Sequence, residues 1–258
     1  MKIGAIFGLW YVLNIGYNIY NKKVLNMVPK LTYTVAWLQL VIGLLYLFPV
    51  WLLGIRKTPE LTSEEVQKLV PIAILHSLTH LGAVVSLGAG AVSFTHIVKA
   101  AEPAVSAALS AVLTQSFLPL PVYLSLIPVM GGVALASATE LSFSWLSFGG
   151  AMVSNVASAA RGIVGKGVLE GKGGKGGVGK NMDAANTYGV MTILSAMLCL
   201  HFVVRELKHV APAWRALQAA GRAREAAAFT LLSGLFYYLY NEVAFLALDQ
   251  VNPVTHAI

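Results

Sequence analysis

A single lysine and a single glutamate carry the only full charges in a long apolar part of the chain. Between Pro71 and Pro121, Lys99 and Glu102 are the only Lys, Arg, Asp or Glu residues. A cation in the apolar middle of a membrane span costs roughly 2.5 kcal/mol or more on insertion scales, so such a residue is usually functional. Because a fixed positive charge inside a membrane bundle attracts anions, Lys99 predicts an anion-binding site in a membrane protein.

The spacing of these two charges leaves a second interpretation open. Residues three apart lie on one side of a helix, so Lys99 and Glu102 could neutralise each other as an ion pair without a ligand. Glu102 directly precedes Pro103, where we expect an irregular backbone, and it could instead organise the helix. We favour Lys99 as a ligand for an anionic group.

Three further polar side chains interrupt apolar segments. His76 and His80 are four residues apart and could bind a metal ion from one helix face, but their segment offers no suitable third ligand. We therefore expect no metal site, and we expect His80 to act as a hydrogen-bond donor facing a polar cavity. Tyr240 is the residue of the last apolar segment that we expect to meet a ligand. No set of nucleophile, base and orienting group can be assembled, so we expect neither an enzyme nor a cofactor.

The composition places these residues in a membrane protein. The 258 residues are 57% hydrophobic and only 11% charged, whereas soluble domains carry about 25% charged residues. A net charge of +7 would suit nucleic acid, but the basic residues mostly lie at the ends of apolar segments. We therefore expect a lipid bilayer and no nucleic acid among the partners. A lone cysteine, Cys199, excludes an internal disulfide framework.

Eight apolar segments are each long enough to cross a bilayer as a helix of about twenty residues. They must be helices, because backbone groups in lipid have to be satisfied within the chain. Residues 54–67 form a polar loop with a helix cap at Thr62 or Ser63, and the basic residues 205–227 predict an amphipathic surface helix. The predicted spans are 3–21, 32–53, 68–89, 93–115, 119–139, 143–165, 185–204 and 228–248.

Two pairs of similar segments predict an internal repeat. Residues 93–99 and 252–258 both place Thr-His at a helix start, and Asn21-Lys22-Lys23 at the end of the first span resembles Arg161…Lys166 at the end of the sixth. Both pairs have an offset of five spans, and an odd offset inverts the second copy in the membrane. We predict one transporter domain over 1–258, with a first repeat of about 3–139 and a second of about 143–258.

Several of these segments together resemble the plastid phosphate translocators, the sugar-phosphate carriers of the drug/metabolite transporter superfamily. The most specific match is AVSFTHIVKAAEP at residues 91–103, which is similar to the fourth-helix signature of that family. The resemblance follows the family order along nearly the whole chain. Its other segments are WYVLN at 10–14, NKK at 21–23, TELSFSW at 139–145, SN at 154–155 with Arg161, and YLYN at 238–241.

This resemblance implies an all-α membrane protein with the inverted-repeat fold of the superfamily, in which residues 1–258 hold eight spans and the start of a ninth out of ten. It implies exchange of inorganic phosphate for phosphorylated three-, five- or six-carbon compounds across the plastid inner envelope, so that phosphate and organic phosphates are the partners. It also implies a Lys-Arg pair in the ninth helix. The substrate-contacting positions it implies are Lys99, Arg161, His80 and Tyr240, with support from Thr95, His96, Glu102, Lys22 and Lys23.

Two alternatives to this function remain open from the sequence. One is a nucleotide-sugar or drug carrier of the same superfamily, with the Golgi or endoplasmic reticulum membrane as the alternative location. The other is a membrane scaffold or a truncated relative that does not transport. The sequence predicts no oligomeric state.

Overall fold

The computed structural model describes residues 2–141, 143–169 and 178–250, and within these ranges the chain forms helices and no strand. The helices are α1 Lys2–Met27, α2 Thr32–Leu52, α3 Ser63–Ala89, α4 Val92–Lys99, α5 Glu102–Thr114, α6 Leu120–Thr139, α7 Trp145–Leu169, α8 Ala184–Val204, α9 Leu207–Ala219 and α10 Ala223–Gln250. An isolated β-bridge between Glu60 and Lys180 links two loops at one end of the bundle.

All eight predicted spans are helical, which confirms the predicted fold class of a membrane helix bundle. In the described residues, five helical segments are long and apolar enough to cross a membrane: Thr32–Leu52, Ser63–Ala89, Val92–Thr114, Leu120–Thr139 and Ala184–Val204. Helices α1, α7 and α10 have 26, 25 and 28 residues, which is also sufficient length. The predicted start of a ninth helix at 252–258 lies outside the described residues.

Helix α3 begins five residues before the predicted span because a capping box sets its first turn. The Thr62 hydroxyl accepts a hydrogen bond from the Glu65 backbone N–H at 3.3 Å, and the Glu65 carboxylate accepts one from the Thr62 backbone N–H at 2.8 Å. Such a box satisfies two N–H groups that a helix start leaves free. The predicted cap at Thr62 is therefore confirmed, and the basic segment 205–227 is likewise helical over most of its length, as α9 and the start of α10.

The fourth predicted span is divided into α4 and α5 instead of being one continuous helix. Pro103 has no backbone N–H, and its ring would clash with the carbonyl of Lys99 in a continuous helix. Helix α4 therefore ends at Lys99 and α5 starts at Glu102. The side-chain amide of Asn155 donates to the Val98 carbonyl at 2.9 Å, which satisfies an acceptor near the break. Lys99 thus lies at the end of a half-helix inside the bundle.

Two helix pairs form the main contacts of the bundle, α3 with α7 and α1 with α10. Helices α2 and α8 pack on each other, and α2 also contacts α10 while α8 contacts α3. Helices α4 and α5 lie against α7. This packing brings residues of α3, α7 and α10 to the centre of the bundle.

Candidate anion-binding site

The close crossing of α3 and α7 positions the predicted site residues. A Cβ atom on Gly82 would lie 2.7 Å from the Gly150 carbonyl oxygen and 2.9 Å from the Ser154 backbone nitrogen. Side chains larger than hydrogen are therefore excluded at this crossing. Gly82 with Ser86, and Gly150 with Ser154, have the small-xxx-small spacing that lets membrane helices approach closely. The crossing holds one face of α7 directly against α3.

Lys99 reaches this face of α7. Its ammonium donates to the Ser154 hydroxyl at 2.9 Å, whereas the nearer Glu102 carboxylate oxygen is 3.8 Å away, which is too long for a hydrogen bond. The position at the C-terminal end of α4 favours a cation, because the free carbonyls there carry partial negative charge. A neutral hydroxyl is thus the closest partner of the Lys99 charge, and Glu102 is a loose neighbour.

Arg161 is the second cation on the same face of α7. Its guanidinium is 2.6 Å from His76 Nδ1 and lies 6.0 Å from the centre of the Phe245 ring. Within residues 2–141, 143–169 and 178–250, no carboxylate lies in ion-pair distance of Arg161. Ser154 and Arg161 are seven residues apart, two helical turns or about 10.5 Å along the axis, so both cations are held towards α3.

The partners of the two histidines determine which ring nitrogens carry protons. Arginine only donates, so His76 Nδ1 accepts and the proton is on Nε2, which is buried and unpartnered among the described residues. His80 Nε2 lies 2.9 Å from the Ala36 carbonyl, so it is the donor, and buried Nδ1 is left as an unpartnered acceptor. His76 therefore offers a donor and His80 an acceptor.

The prediction that His80 donates into a polar cavity is therefore corrected, because the Ala36 carbonyl takes its N–H. Sequence spacing could not reveal this, since Ala36 belongs to another helix. The described residues contain no group of three His, Cys, Asp or Glu side chains that could hold a metal ion.

His80 packs against one member of a cluster of tyrosine rings from α1 and α10. The His80 ring is 4.1 Å from that of Tyr237, which in turn lies 5.7 Å from Tyr240 and 5.4 Å from Tyr17. Tyr17 and Tyr240 are 5.3 Å apart. The structure therefore brings the predicted residues His80 and Tyr240 into one aromatic cluster, although separate elements supply them.

Two of the supporting residues, Thr95 and Lys22, hold helices together. The Thr95 hydroxyl is 2.8 Å from that of Ser86, which links α4 to α3. The Lys22 ammonium donates to the Leu87 and Gly90 carbonyls, both at 2.7 Å. A cation at the last carbonyls of a helix stabilises its C-terminus. The immediate role of Lys22 is therefore to fix the α3–α4 turn onto α1.

The remaining two supporting residues, His96 and Lys23, are exposed. His96 is exposed on α4. Lys23 is exposed at the end of α1, with its ammonium 4.9 Å from the centre of the Phe229 ring.

Several residues of the site had no assigned role in the sequence analysis. His76 was considered only as a metal ligand, and the glycines at the α3–α7 crossing were not considered. The small-xxx-small spacing of Gly82 and Gly150 was the readable signal for the crossing. The partially buried ion pair between Arg56 and Glu242, 2.5 Å long, joins the loop after α2 to α10. The sequence showed only that Glu242 is a polar residue within an apolar span, and it did not indicate Arg56 as the partner.

Comparison of the sequence with known proteins identifies its family. A sequence model of the Triose-phosphate Transporter family matches residues 1–258. The chain is 38% identical over 261 residues to the chloroplastic glucose-6-phosphate/phosphate translocator 1 of Arabidopsis thaliana. It is 36% identical over 260 residues to the chloroplastic xylulose 5-phosphate/phosphate translocator of the same plant. It is 35% identical over 257 residues to the chloroplastic triose phosphate/phosphate translocator of Spinacia oleracea. The chain therefore belongs to the triose-phosphate transporter family.

These alignments cover nearly all of this chain but only part of each relative. They include 100%, 100% and 99% of the chain, and 64%, 60% and 61% of the three relatives. The relatives are named as translocators, not as enzymes. Their names give different organic phosphates at nearly equal identity, so overall similarity does not select one substrate.

Proposed function

We propose that the protein is a secondary antiporter that exchanges inorganic phosphate for phosphorylated three-, five- or six-carbon metabolites. Membership of the triose-phosphate transporter family supports this proposal, as do relatives named for glucose 6-phosphate, xylulose 5-phosphate, phosphoenolpyruvate and triose phosphate. All of these relatives are named as chloroplastic, which supports the plastid inner envelope as the location. A carrier of this kind needs neither a cofactor nor a catalysed reaction.

The observation that carries the proposal is that two cations, Lys99 of α4 and Arg161 of α7, lie at one face of α7. Lys99 is held by a hydroxyl and Arg161 by a neutral imidazole, so an arriving phosphate would replace neutral partners and would not have to break a tight ion pair. Charge-assisted hydrogen bonds from both cations would hold its oxygens. The N–H of His76 Nε2 is a further donor, and the Nδ1 of His80 with the Tyr240 hydroxyl would meet the organic part of a substrate.

Exchange follows from the cost of leaving these cations without an anion. Two positive charges in an apolar bundle repel each other, and a bound phosphate compensates both. If the state that lies between the two open forms is stable only with the anion bound, the empty carrier cannot return, and transport becomes a strict exchange. Such coupling requires that the ligand binds the two states with different affinity.

The proposed inverted halves are supported by the symmetry of the helix contacts. If α1, α2 and α3 correspond to α7, α8 and α10, the α3–α7 contact maps onto the α10–α1 contact, and both are present. The α2–α10 contact likewise maps onto the observed α8–α3 contact. A test is to place single cysteines at Gly4 and Trp145 with Cys199 replaced by serine. Labelling from opposite sides of the membrane is expected, and labelling from one side would contradict inversion.

The direct test of the function is exchange in liposomes that contain the purified protein. Uptake of labelled phosphate, triose phosphate, phosphoenolpyruvate, xylulose 5-phosphate and glucose 6-phosphate should require phosphate inside the vesicles. Uptake of a nucleotide sugar without phosphate exchange would favour a different carrier of the superfamily. Folded protein that moves none of these compounds would favour a member that does not transport.

A further inference from the structure

An apolar cavity, here called the groove, lies at the end of the bundle where α9 covers the space between α2 and α10. Its volume is about 350 Å³, within the range of roughly 300–1,000 Å³ that small-molecule sites occupy. The lining is almost entirely aliphatic and aromatic, with residues of α2 at helical spacing on one wall and residues of α10 on the other. Representative lining residues are Leu38, Ile42, Trp214, Ala227 and Leu231.

Helix α9 is fixed over this cavity by one buried carboxylate. Glu206 accepts hydrogen bonds from the backbone N–H groups of Tyr33 and Thr34, at 3.1 and 2.7 Å, and from the Thr34 hydroxyl at 2.8 Å. The carboxylate thereby caps the start of α2, where the helix dipole favours negative charge. The groove therefore lies between helices that are tethered to each other by hydrogen bonds. It is open to the outside of the bundle beside Trp214 and Leu231, which are 45% and 54% exposed.

The position of the groove along the bundle corresponds to the membrane surface. Helices α1 and α8 end here, and α2 and α10 begin here, with α9 between them. Tryptophan is enriched at this depth in membrane proteins because its ring is apolar and its N–H is polar. A groove that starts at this level and continues between two membrane helices has the shape to hold a lipid acyl chain.

The charges around the groove indicate which head group would accompany that chain. The exposed cations of this segment are Arg205, Lys208, Arg215, Arg222 and Arg224. The carboxylates of the same segment are already in use, because Glu206 caps α2 and Glu225 accepts from Arg222 at 2.8 Å. The surface around the groove is therefore positive, which suits an anionic head group.

Arg224 is the cation best placed at the opening of the groove. It precedes Ala227 by three residues and Leu231 by seven, so the three residues form one stripe of α10. Arg224 forms no ion pair in the described part of the chain. Lys208 and Arg215 are also seven residues apart, but they lie on the opposite side of α9 from the groove-lining Val210, Trp214 and Leu217.

We propose that this groove is a specific site for an anionic membrane lipid, with an acyl chain between α2 and α10 and the head-group phosphate on Arg224. Lipid tails are as apolar as the groove itself, so the hydrophobic effect gives no preference between this site and the bilayer. The preference for one lipid over another must come from the head group. A Lys or Arg near an anionic membrane surface contributes about 1 kcal/mol, which corresponds to about fivefold in affinity.

The experiment uses Trp214 as a reporter in vesicles with brominated phosphatidylglycerol or brominated phosphatidylcholine. Bromine on an acyl chain quenches a tryptophan that it contacts, and the Trp214→Phe variant defines the part of the signal that comes from Trp214. We expect the phosphatidylglycerol to quench Trp214 with about fivefold higher apparent affinity. Arg224→Gln should bring the two lipids close to equality, and Ala227→Leu, which fills the groove, should weaken quenching by both.

Arg215→Gln is the matched control, because it removes another exposed cation, one that lies on the side of α9 opposite the groove. This variant should keep the preference for phosphatidylglycerol. Equal quenching of Trp214 by the two lipids in the unmodified protein would overturn the proposal. An equal loss of preference in Arg215→Gln and Arg224→Gln would also overturn it, since the effect would then be a general surface potential. Neither outcome depends on transport activity.

Discussion

Replacing Gly150 by alanine tests whether the α3–α7 crossing positions the candidate site. The new Cβ atom would lie 2.8 Å from the Gly82 carbonyl oxygen and 3.0 Å from the Ser86 backbone nitrogen. Ordinary contact starts at 3.4 Å, so the two helices must separate by ~0.6 Å, and both obstacles are backbone atoms that cannot rotate away. Overpacking of this kind typically costs about 1–3 kcal/mol.

This cost is measurable as a change in thermal unfolding of the purified protein. For a chain of this length, about 1 kcal/mol corresponds to roughly 2–4 °C in Tm, so a fall of about 2–12 °C is expected. Gly149→Ala is the matched control, because it is the adjacent residue of α7 and its Cβ would meet nothing within 4 Å. That variant should unfold at the same temperature as the unmodified protein or slightly above it.

The same displacement should also weaken phosphate binding. A shift of ~0.6 Å would lengthen the Lys99–Ser154 hydrogen bond from 2.9 Å to about the limit for such a bond. Exchange in liposomes should therefore fall in Gly150→Ala and remain in Gly149→Ala. Equal Tm values and equal exchange for the two variants would refute the role of the crossing.

Three further predictions concern individual contacts. Tyr240→Phe and His80→Ala should each reduce organic-phosphate exchange about fivefold more than phosphate self-exchange, because a lost hydrogen bond costs about 1 kcal/mol. Equal losses of exchange for all substrates would contradict this role in selectivity. Glu206→Gln should lower Tm, since hydrogen bonds to a charged group contribute about 1.5–3 kcal/mol and this carboxylate accepts three. An unchanged Tm would show that α9 is held by packing alone. Glu242→Gln should also lower Tm, because it leaves Arg56 without its ion pair. The double variant with Arg56→Glu and Glu242→Arg should restore part of the lost Tm, and no recovery would argue against the pair.

The helices of this chain were largely predictable because apolar length is a local property. Each of the eight apolar segments is helical, and the Thr62 cap was readable from its own sequence. The boundaries were less accurate. Helix α1 continues to Met27, beyond the predicted end at residue 21. The charge of Lys22 in this extension is accommodated because its ammonium donates to the Leu87 carbonyl of α3. The break after Lys99 depends on Pro103, and the chain on both sides remains apolar enough to be read as one span.

The site was only partly predictable, because its partners come from distant segments. Lys99 was visible as an isolated charge, and the family resemblance added Arg161. Their closest partners, Ser154 and His76, are separated from them by 55 and 85 residues, and no local pattern gives such a pairing. The proton positions on His76 and His80 follow only from these contacts. Composition and the family resemblance therefore identified the two charges, and the helix crossing determined how they are held.

The central claim is that Lys99 provides a positive charge that binds the phosphate of the substrate. The test is phosphate exchange by Lys99→Gln in liposomes, with Lys180→Gln as control, since the side chain of Lys180 is 71% exposed in a surface ion pair. A charge-assisted contact in the interior contributes about 1.5–3 kcal/mol, so exchange should fall more than tenfold in Lys99→Gln while Lys180→Gln stays active. Lys99→Arg should also transport poorly, because a planar guanidinium does not replace a compact ammonium. Unchanged exchange in folded Lys99→Gln would contradict the account and would leave Lys99 as a partner of Ser154 and Glu102 alone.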